Sequence, residues 1–416
     1  MAMLTETAAP LNVAHQPEHR GAVGVLMALF FAIGFLTCLN DIIIPHFKAI
    51  FALDYKGAML IQFSFFAAYF VVSVPSGIIV HKLGYKNAIL LGLGVAALGC
   101  LGFFPAAVLP SYVLFLGALF VLASGFTLLQ VAVNPYAAIL GSPETASSRL
   151  TLTQAFNSVG TTVAPLIGSA LILSPDKGPV DPAVAAHSVQ APYLAFAAIL
   201  VAMAAALALF RLPEVRPDQE KSGEGESVWS HAPLAFGALA IFVYVGAEVS
   251  IGSILVSFLG EPTIAALDAK TAASWLLIYW GGAMIGRFAG AAVLRTWLPP
   301  RVLGAAGAVA FLLVGATILG SGHFAMFTIL GVGLFNSIMF PTIFTLAIDG
   351  LGPRTGEGSG VLCMAIVGGA LVPVLEGAVA DRLGVHTAFV VPLLCYAYIV
   401  WYGLVGSKLR FRGARA

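Results

Sequence analysis

Charge is what this chain has least of. Only 9% of its 416 residues are Asp, Glu, Lys or Arg, 60% are hydrophobic, and the mean hydropathy is +0.98. Soluble domains carry about 25% charged residues. The scarcity excludes a water-covered surface and sets most of the chain against lipid. A net charge of +1 supplies no basic field, so no nucleic-acid partner is expected. Cysteine is scarce too: Cys38, Cys100, Cys363 and Cys395 all fall in apolar runs. Their spacing matches no metal motif, and they read as reduced packing residues. A His-rich or His/Glu metal cluster, a Walker loop and a GxSxG elbow are missing as well. Their absence argues against an enzyme and against built-in ATP drive. The opening "MAMLTETAAPLNVAHQPEHR" lacks the apolar stretch of a cleavable signal and reads as a tail.

What is present is long apolar runs. Twelve are long enough to cross a bilayer as helices: 22–47, 57–80, 87–106, 111–138, 149–174, 192–210, 234–259, 271–294, 302–320, 324–348, 358–379 and 387–406. Between the sixth and seventh lies "RPDQEKSGEGESVWSH", charged and rich in Gly and Ser, a linker by composition. The expected organisation is an all-α membrane protein of twelve transmembrane helices in two six-helix, pseudo-symmetric halves. These are a cytoplasmic tail (1–21), an N-terminal half (22–211), a cytoplasmic linker (212–233), a C-terminal half (234–407) and a second tail (408–416). The tails and even-numbered loops carry fourteen Lys and Arg residues and the other loops five, with Arg287 left inside a span. By the positive-inside rule both termini are cytoplasmic, and the expected location is the inner membrane.

The halves repeat. Gln130 precedes Pro135 by five residues in span 4, and Asn336 precedes Pro341 by five in span 10. Gly160 to Pro165 in span 5 repeats as Gly368 to Pro373 in span 11, at offsets of 206 and 208. Proline-broken helices at matching places in two halves point to a transporter's substrate cavity. Each proline frees the carbonyl four residues earlier, and in lipid that carbonyl needs a partner or a wet cavity. The N-terminal half sets Gln130 and Asn134 on one face of span 4, and Gln154 and Asn157 on one face of span 5. The repeat offsets carry these to Asn336, Phe340, Leu362 and Ala365. Amides suit hydroxyls and aromatic rings suit C–H faces, so the pair of surfaces fits a sugar. The competing reading makes the amides bonds between helices.

Three charges lie well inside spans: Asp41, Glu248 and Arg287. A mid-bilayer charge costs several kcal/mol, so its retention suggests function. Asp41 and Glu248 are candidate cation-coupling carboxylates. Arg287, in "GGAMIGRFAG", is a candidate structural or gating residue, which could also pair with a carboxylate. Pro45 leaves the carbonyl of Asp41 unbonded, a feature that suits H+ or Na+, with a slight lean to protons. Asn40, beside Asp41, joins the candidate sugar-binding amides. Asp349 and Glu376 lie nearer span ends, where headgroups are within reach.

The stretches "LNDIIIPHFK", "QVAVNPY", "LTQAFNSVGTTVAP", "YVGAEVSIGS", "GRFAG" and "FPTIFTLAIDGLG" carry a family resemblance across all twelve spans. The chain resembles the major facilitator superfamily and, within it, the fucose–galactose–glucose:cation symporter family. "GIIVHKLGYK" resembles the superfamily's loop motif after span 2, with His81 where an acidic residue is usual. The resemblance implies that Asp41 is the span 1 coupling aspartate and that Gln154 and Asn157 line the sugar cavity. Gln130 stands where the fucose branch has a glutamate that protonates, and an amide cannot carry a proton. Glu248 resembles the glucose/galactose branch instead. The implied activity is hexose import by cation symport through alternating access, with no cofactor beyond the coupling cation. Glucose/galactose ranks first, then N-acetylglucosamine, with fucose and mannose open, and a monomer is expected. A drug exporter of the same fold and a transporter-like membrane sensor are the rivals.

Overall fold

The computed structural model describes residues 20–50, 55–109, 111–172, 190–213 and 227–409; the side chains at 20, 39–50, 55–59, 62, 165–172 and 269 fall outside that description. The tails beyond these bounds, most of the linker, and the side chains of Asn40, Asp41 and Pro45 therefore lie outside the described residues. No strand occurs among the described residues. The helices are α1 (Arg20–Ile50), α2 (Tyr55–Val108), α3 (Tyr112–Ile139), α4 (Ala146–Ile172), α5 (Gln190–Leu209), α6 (Ala232–Gly260), α7 (Ala269–Val293), α8 (Pro299–Leu319), α9 (Gly322–Asn336), α10 (Met339–Ile348), α11 (Thr355–Met364), α12 (Gly368–Leu383) and α13 (Val390–Leu404). The short turn Val385–Ala388 leads into α13.

Ten helical stretches are long and apolar enough to cross a bilayer. Two features reconcile ten with the expected twelve. The 54 residues of α2 span about 80 Å at 1.5 Å per residue, more than twice the ~30 Å hydrocarbon core. Gly84, at φ 77° and ψ 166°, breaks it into two passages. That left-handed backbone is open to glycine and strained for any residue with a Cβ. The second feature is α4, which is not among the ten. It is dense in Ser, Thr, Asn and Gln and carries Arg149, and it packs between α1 on one side and α7 and α10 on the other.

Of the repeat prolines, Pro135 and Pro341 have their freed carbonyls bonded. The carbonyl of Val131, four before Pro135, accepts from Ser359 Oγ of α11 at 2.7 Å. The carbonyl of Ser337, four before Pro341, accepts from Arg287 Nε of α7 at 3.3 Å. Span 10, read from sequence as one helix, is α9 and α10 separated at Ser337–Ile338. Pro341 falls in the first turn of α10, where its missing N–H would have no intrahelical partner anyway. Span 11 is likewise α11 and α12 joined by a 3₁₀ turn, Ala365–Val367. The repeat glycines are packing contacts. A Cβ on Gly160 would strike the carbonyl of Phe31 in α1, and one on Gly368 would strike the carbonyl of Phe242 in α6.

Polar bonds between the halves concentrate at the end that carries Lys82, Arg149, Arg295 and Arg354. Ser147 Oγ and Thr345 Oγ1 are 2.6 Å apart. Ser148 Oγ donates to the Ala291 carbonyl at 2.5 Å, and His81 Nδ1 lies 3.2 Å from the Pro353 carbonyl. With Ser359 they tie α2–α4 to α7, α10 and α11. Ser359→Ala leaves the Val131 carbonyl without its partner in a buried place. An unmet buried acceptor costs about 1–3 kcal/mol, so the closed arrangement weakens. The expected result is increased modification of a cysteine introduced at Ser147 by a membrane-impermeant reagent applied from the side of the basic end.

Candidate functional site

The amides of the N-terminal half form a string. Gln130 Nε2 donates to Tyr69 Oη at 2.9 Å. Gln154 Nε2 donates to Asn134 Oδ1 at 3.3 Å, and Asn134 Nδ2 points at Cys363 Sγ of α11 at 4.0 Å. Asn134 is fully buried and Gln154 nearly so, while Gln130 and Asn157 keep partial exposure. The structure therefore brings Gln130, Asn134 and Gln154 into one region facing α11. Asn157 turns toward α1, where its Nδ2 donates to the Phe30 carbonyl at 3.1 Å. Aromatic surface stands on this side as well: the Phe65 ring lies 5.4 Å from that of Tyr69 and 6.0 Å from that of Phe66.

The C-terminal half is organised around Asn336. Its Nδ2 donates to Tyr279 Oη at 2.9 Å, and its Oδ1 accepts from Tyr396 Oη at 2.7 Å. Tyr244 Oη lies 3.0 Å from the Asn336 carbonyl and 2.8 Å from Glu248 Oε1. One hydroxyl proton serves these two acceptors. Asn336 and all three tyrosines are buried. Asn336, expected among substrate-binding amides, here joins α6, α7 and α13. Phe340 is 8% exposed and stacks on Phe344, with centroids 6.0 Å apart. Glu248 remains half-buried at the edge of this network.

Arg287 does not pair with Glu248. Its guanidinium donates to the Ser337 carbonyl and to Ser158 Oγ of α4, joining the two halves. Ser158 is one residue after Asn157, so the arginine sits against the same helix that carries the amides. The tyrosine network was missed from sequence, although Tyr244 stands four residues before Glu248 and on its face. Glu376 was misplaced. Its sequence position put headgroups within reach, but α12 extends to Leu383 and the side chain is fully buried.

Gln154→Ala and Asn157→Ala are each expected to weaken sugar binding about two- to tenfold, the worth of one neutral hydrogen bond at roughly 0.5–1.5 kcal/mol. Binding titrations on purified protein check this. Unchanged affinity in both, with lowered thermal stability, assigns the amides to helix contacts alone.

The model of the Major Facilitator Superfamily matches residues 25–366. A protein of Brucella abortus biovar 1 (strain 9-941) named glucose/galactose transporter is 52% identical, covering 98% of this chain and 100% of its own length. The L-fucose-proton symporter of Escherichia coli (strain K12) is 36% identical over 92% of each chain. A solved structure titled as the transporter FucP in the outward conformation superposes with a TM-score of 0.85 at 33% identity, covering 93% of this chain and 99% of that one. These relatives are transporters rather than enzymes, and their likeness runs through every helix described above. The chain belongs to the Major Facilitator Superfamily and is a multi-pass membrane transporter.

Proposed function

We propose that this protein imports a hexose of the glucose/galactose type by cation symport across the inner membrane, with both termini in the cytoplasm. The observation that carries the reading is the end-to-end match, at 52% identity, to a protein named glucose/galactose transporter. The site geometry supports it. Asn134 of α3 points at Cys363 of the other half, Gln154 of α4 bonds Asn134, and the half-buried carboxylate Glu248 lies in the C-terminal half. Asp41 lies in the first span of one half and Glu248 in the first span of the other. The coupling cation is H+ or Na+, with protons favoured, and no other cofactor is invoked. The protein acts as a monomer of two six-helix halves, 22–211 and 234–407, joined by the linker 212–233.

Alternating access follows from the same geometry. Bonds between the halves gather at the basic end, so the conformation described is closed toward the cytoplasm. Likeness to FucP in the outward conformation supports that orientation. Sugar and cation each favour the states in which the other binds well, and the coupling is reciprocal.

The test is uptake by proteoliposomes of a labelled sugar panel, namely glucose, galactose, fucose, mannose and N-acetylglucosamine. Gradients of pH and of Na+ are imposed separately. Uphill accumulation of glucose or galactose under one gradient is the expected result. Accumulation of N-acetylglucosamine or fucose alone moves the substrate to the second reading. No accumulation of any sugar under either gradient rejects symport.

A further inference from the structure

Glu376 is the only fully enclosed carboxylate among the described residues. It lies on α12 between α6 and α13, and neither of its oxygens has a hydrogen-bond partner. Ser250 of α6 stands beside it, its own hydroxyl otherwise unpartnered. Among the described residues Glu376 has no ion-pair partner. Its titratable neighbours are Cys395 and Tyr396 on α13; Glu248, on α6, meets Tyr396 as well, and His386 lies in the turn before α13. The Nε2 of His386 lies 2.7 Å from the Thr317 carbonyl. Asp381 and Arg382, farther along α12, are exposed. Where α2 meets α12, Phe66 lies against Gly369.

An ionised carboxylate with no partner in such a place costs several kcal/mol. A proton on the group removes that cost. Packing alone does not call for an acid there. The span 5/span 11 repeat offset of 208 carries position 376 back to Gly168 (376 − 208), so the matching helix of the other half does without one. An apolar residue of similar volume would fill the space without the burial cost. The compartment is also contiguous with the coupling region. Tyr396 borders Glu376 and bonds Asn336, whose carbonyl shares the Tyr244 hydroxyl with Glu248.

We propose that Glu376 is a second proton-binding site of the transport cycle. It carries a proton while α6, α12 and α13 are packed as here, and exchanges it with water when the rocking of the halves loosens that packing. One O–H bond is made and broken, with water on the open side as proton donor and acceptor. The proposal rests on the symport reading and adds a site to it.

The experiment uses wild type, Glu376→Gln and Glu376→Asp in proteoliposomes with labelled glucose and galactose. Glutamine imitates the protonated acid. Exchange at equal sugar concentrations should stay within about twofold of wild type. Accumulation driven by a pH gradient should fall at least fivefold and lose its pH dependence. Aspartate keeps a carboxyl in a new position, so its pH midpoint for accumulation should move by half a unit or more. Wild-type accumulation and pH profile in Glu376→Gln overturn the proposal. If that variant does not reach the membrane, an unmoved midpoint in Glu376→Asp overturns it alone. Wild-type uptake driven by Na+ and indifferent to pH overturns it too. Wild-type vesicles that accumulate neither hexose under any gradient reject the symport reading itself, a different result from each of these.

Discussion

Asp41→Asn abolishes uphill sugar accumulation while sugar exchange at equal concentrations continues. The expectation begins with solvation. Asp41 lies in a run that carries no other charge from Gly21 to Phe47, and α1 continues unbroken through it to Ile50. A carboxylate at that depth costs several kcal/mol when ionised, so its charge state is tied to the conformation and to the cation beside it. Asparagine keeps the shape and the hydrogen-bonding capacity but has one charge state only. Sugar then loses its link to the gradient, while the halves remain able to rock. The effect is large. A gradient of one pH unit is worth about 1.4 kcal/mol per proton and sustains roughly a tenfold sugar ratio, which the variant reduces to about one. Labelled-sugar uptake and counterflow in the same vesicles separate the two activities. Wild-type accumulation by Asp41→Asn removes Asp41 from coupling.

Glu248→Gln carries the second large effect. Tyr244 donates to Glu248 Oε1 at 2.8 Å, and a glutamine oxygen accepts that bond equally well. The variant is therefore expected to fold. What it loses is the ability to titrate, at a place where span 4 offers only Gln130. The expected result is a changed pH or Na+ dependence of transport, not a lower maximal rate alone. Unaltered cation dependence with weakened sugar affinity would make Glu248 a ligand of sugar hydroxyls. A third role, as ion-pair partner of Arg287, requires Glu248→Gln to be rescued by Arg287→Gln. The geometry gives Arg287 to Ser158 and Ser337 instead, so no rescue is expected. Melting temperatures of the single and double variants decide that point.

These cases show which parts of the molecule could be read from the chain. Apolar run length and the placement of Lys and Arg determine the spans and the basic end, because bilayer thickness and interfacial charge act on local sequence. The proline repeat announced where backbone would be left unbonded, and Val131 and Ser337 are those places. The partners were not legible. Ser359 and Arg287 reach their carbonyls from helices more than fifty residues away or nearly so, a matter of tertiary packing. Asn336 illustrates the same limit. Its spacing from Pro341 is visible, but the three tyrosines that surround it come from positions 244, 279 and 396. Glu376 was misread because helix ends are the least local of boundaries. Gly384, at φ 87°, stops α12 several residues beyond where hydrophobicity fades.

The seal at the basic end consists of small polar groups bonded to one another across the halves. Opening it exposes Ser147, Ser148, Thr345, Ser359 and the carbonyls they hold, each of which then needs water. The transition therefore takes up solvent, and water activity becomes one of its ligands. Solutes too large to enter the widening gap, such as sucrose or a high polymer at that face, draw that water away. They favour the sealed state and slow turnover in proportion to osmotic pressure, without touching the sugar or cation sites.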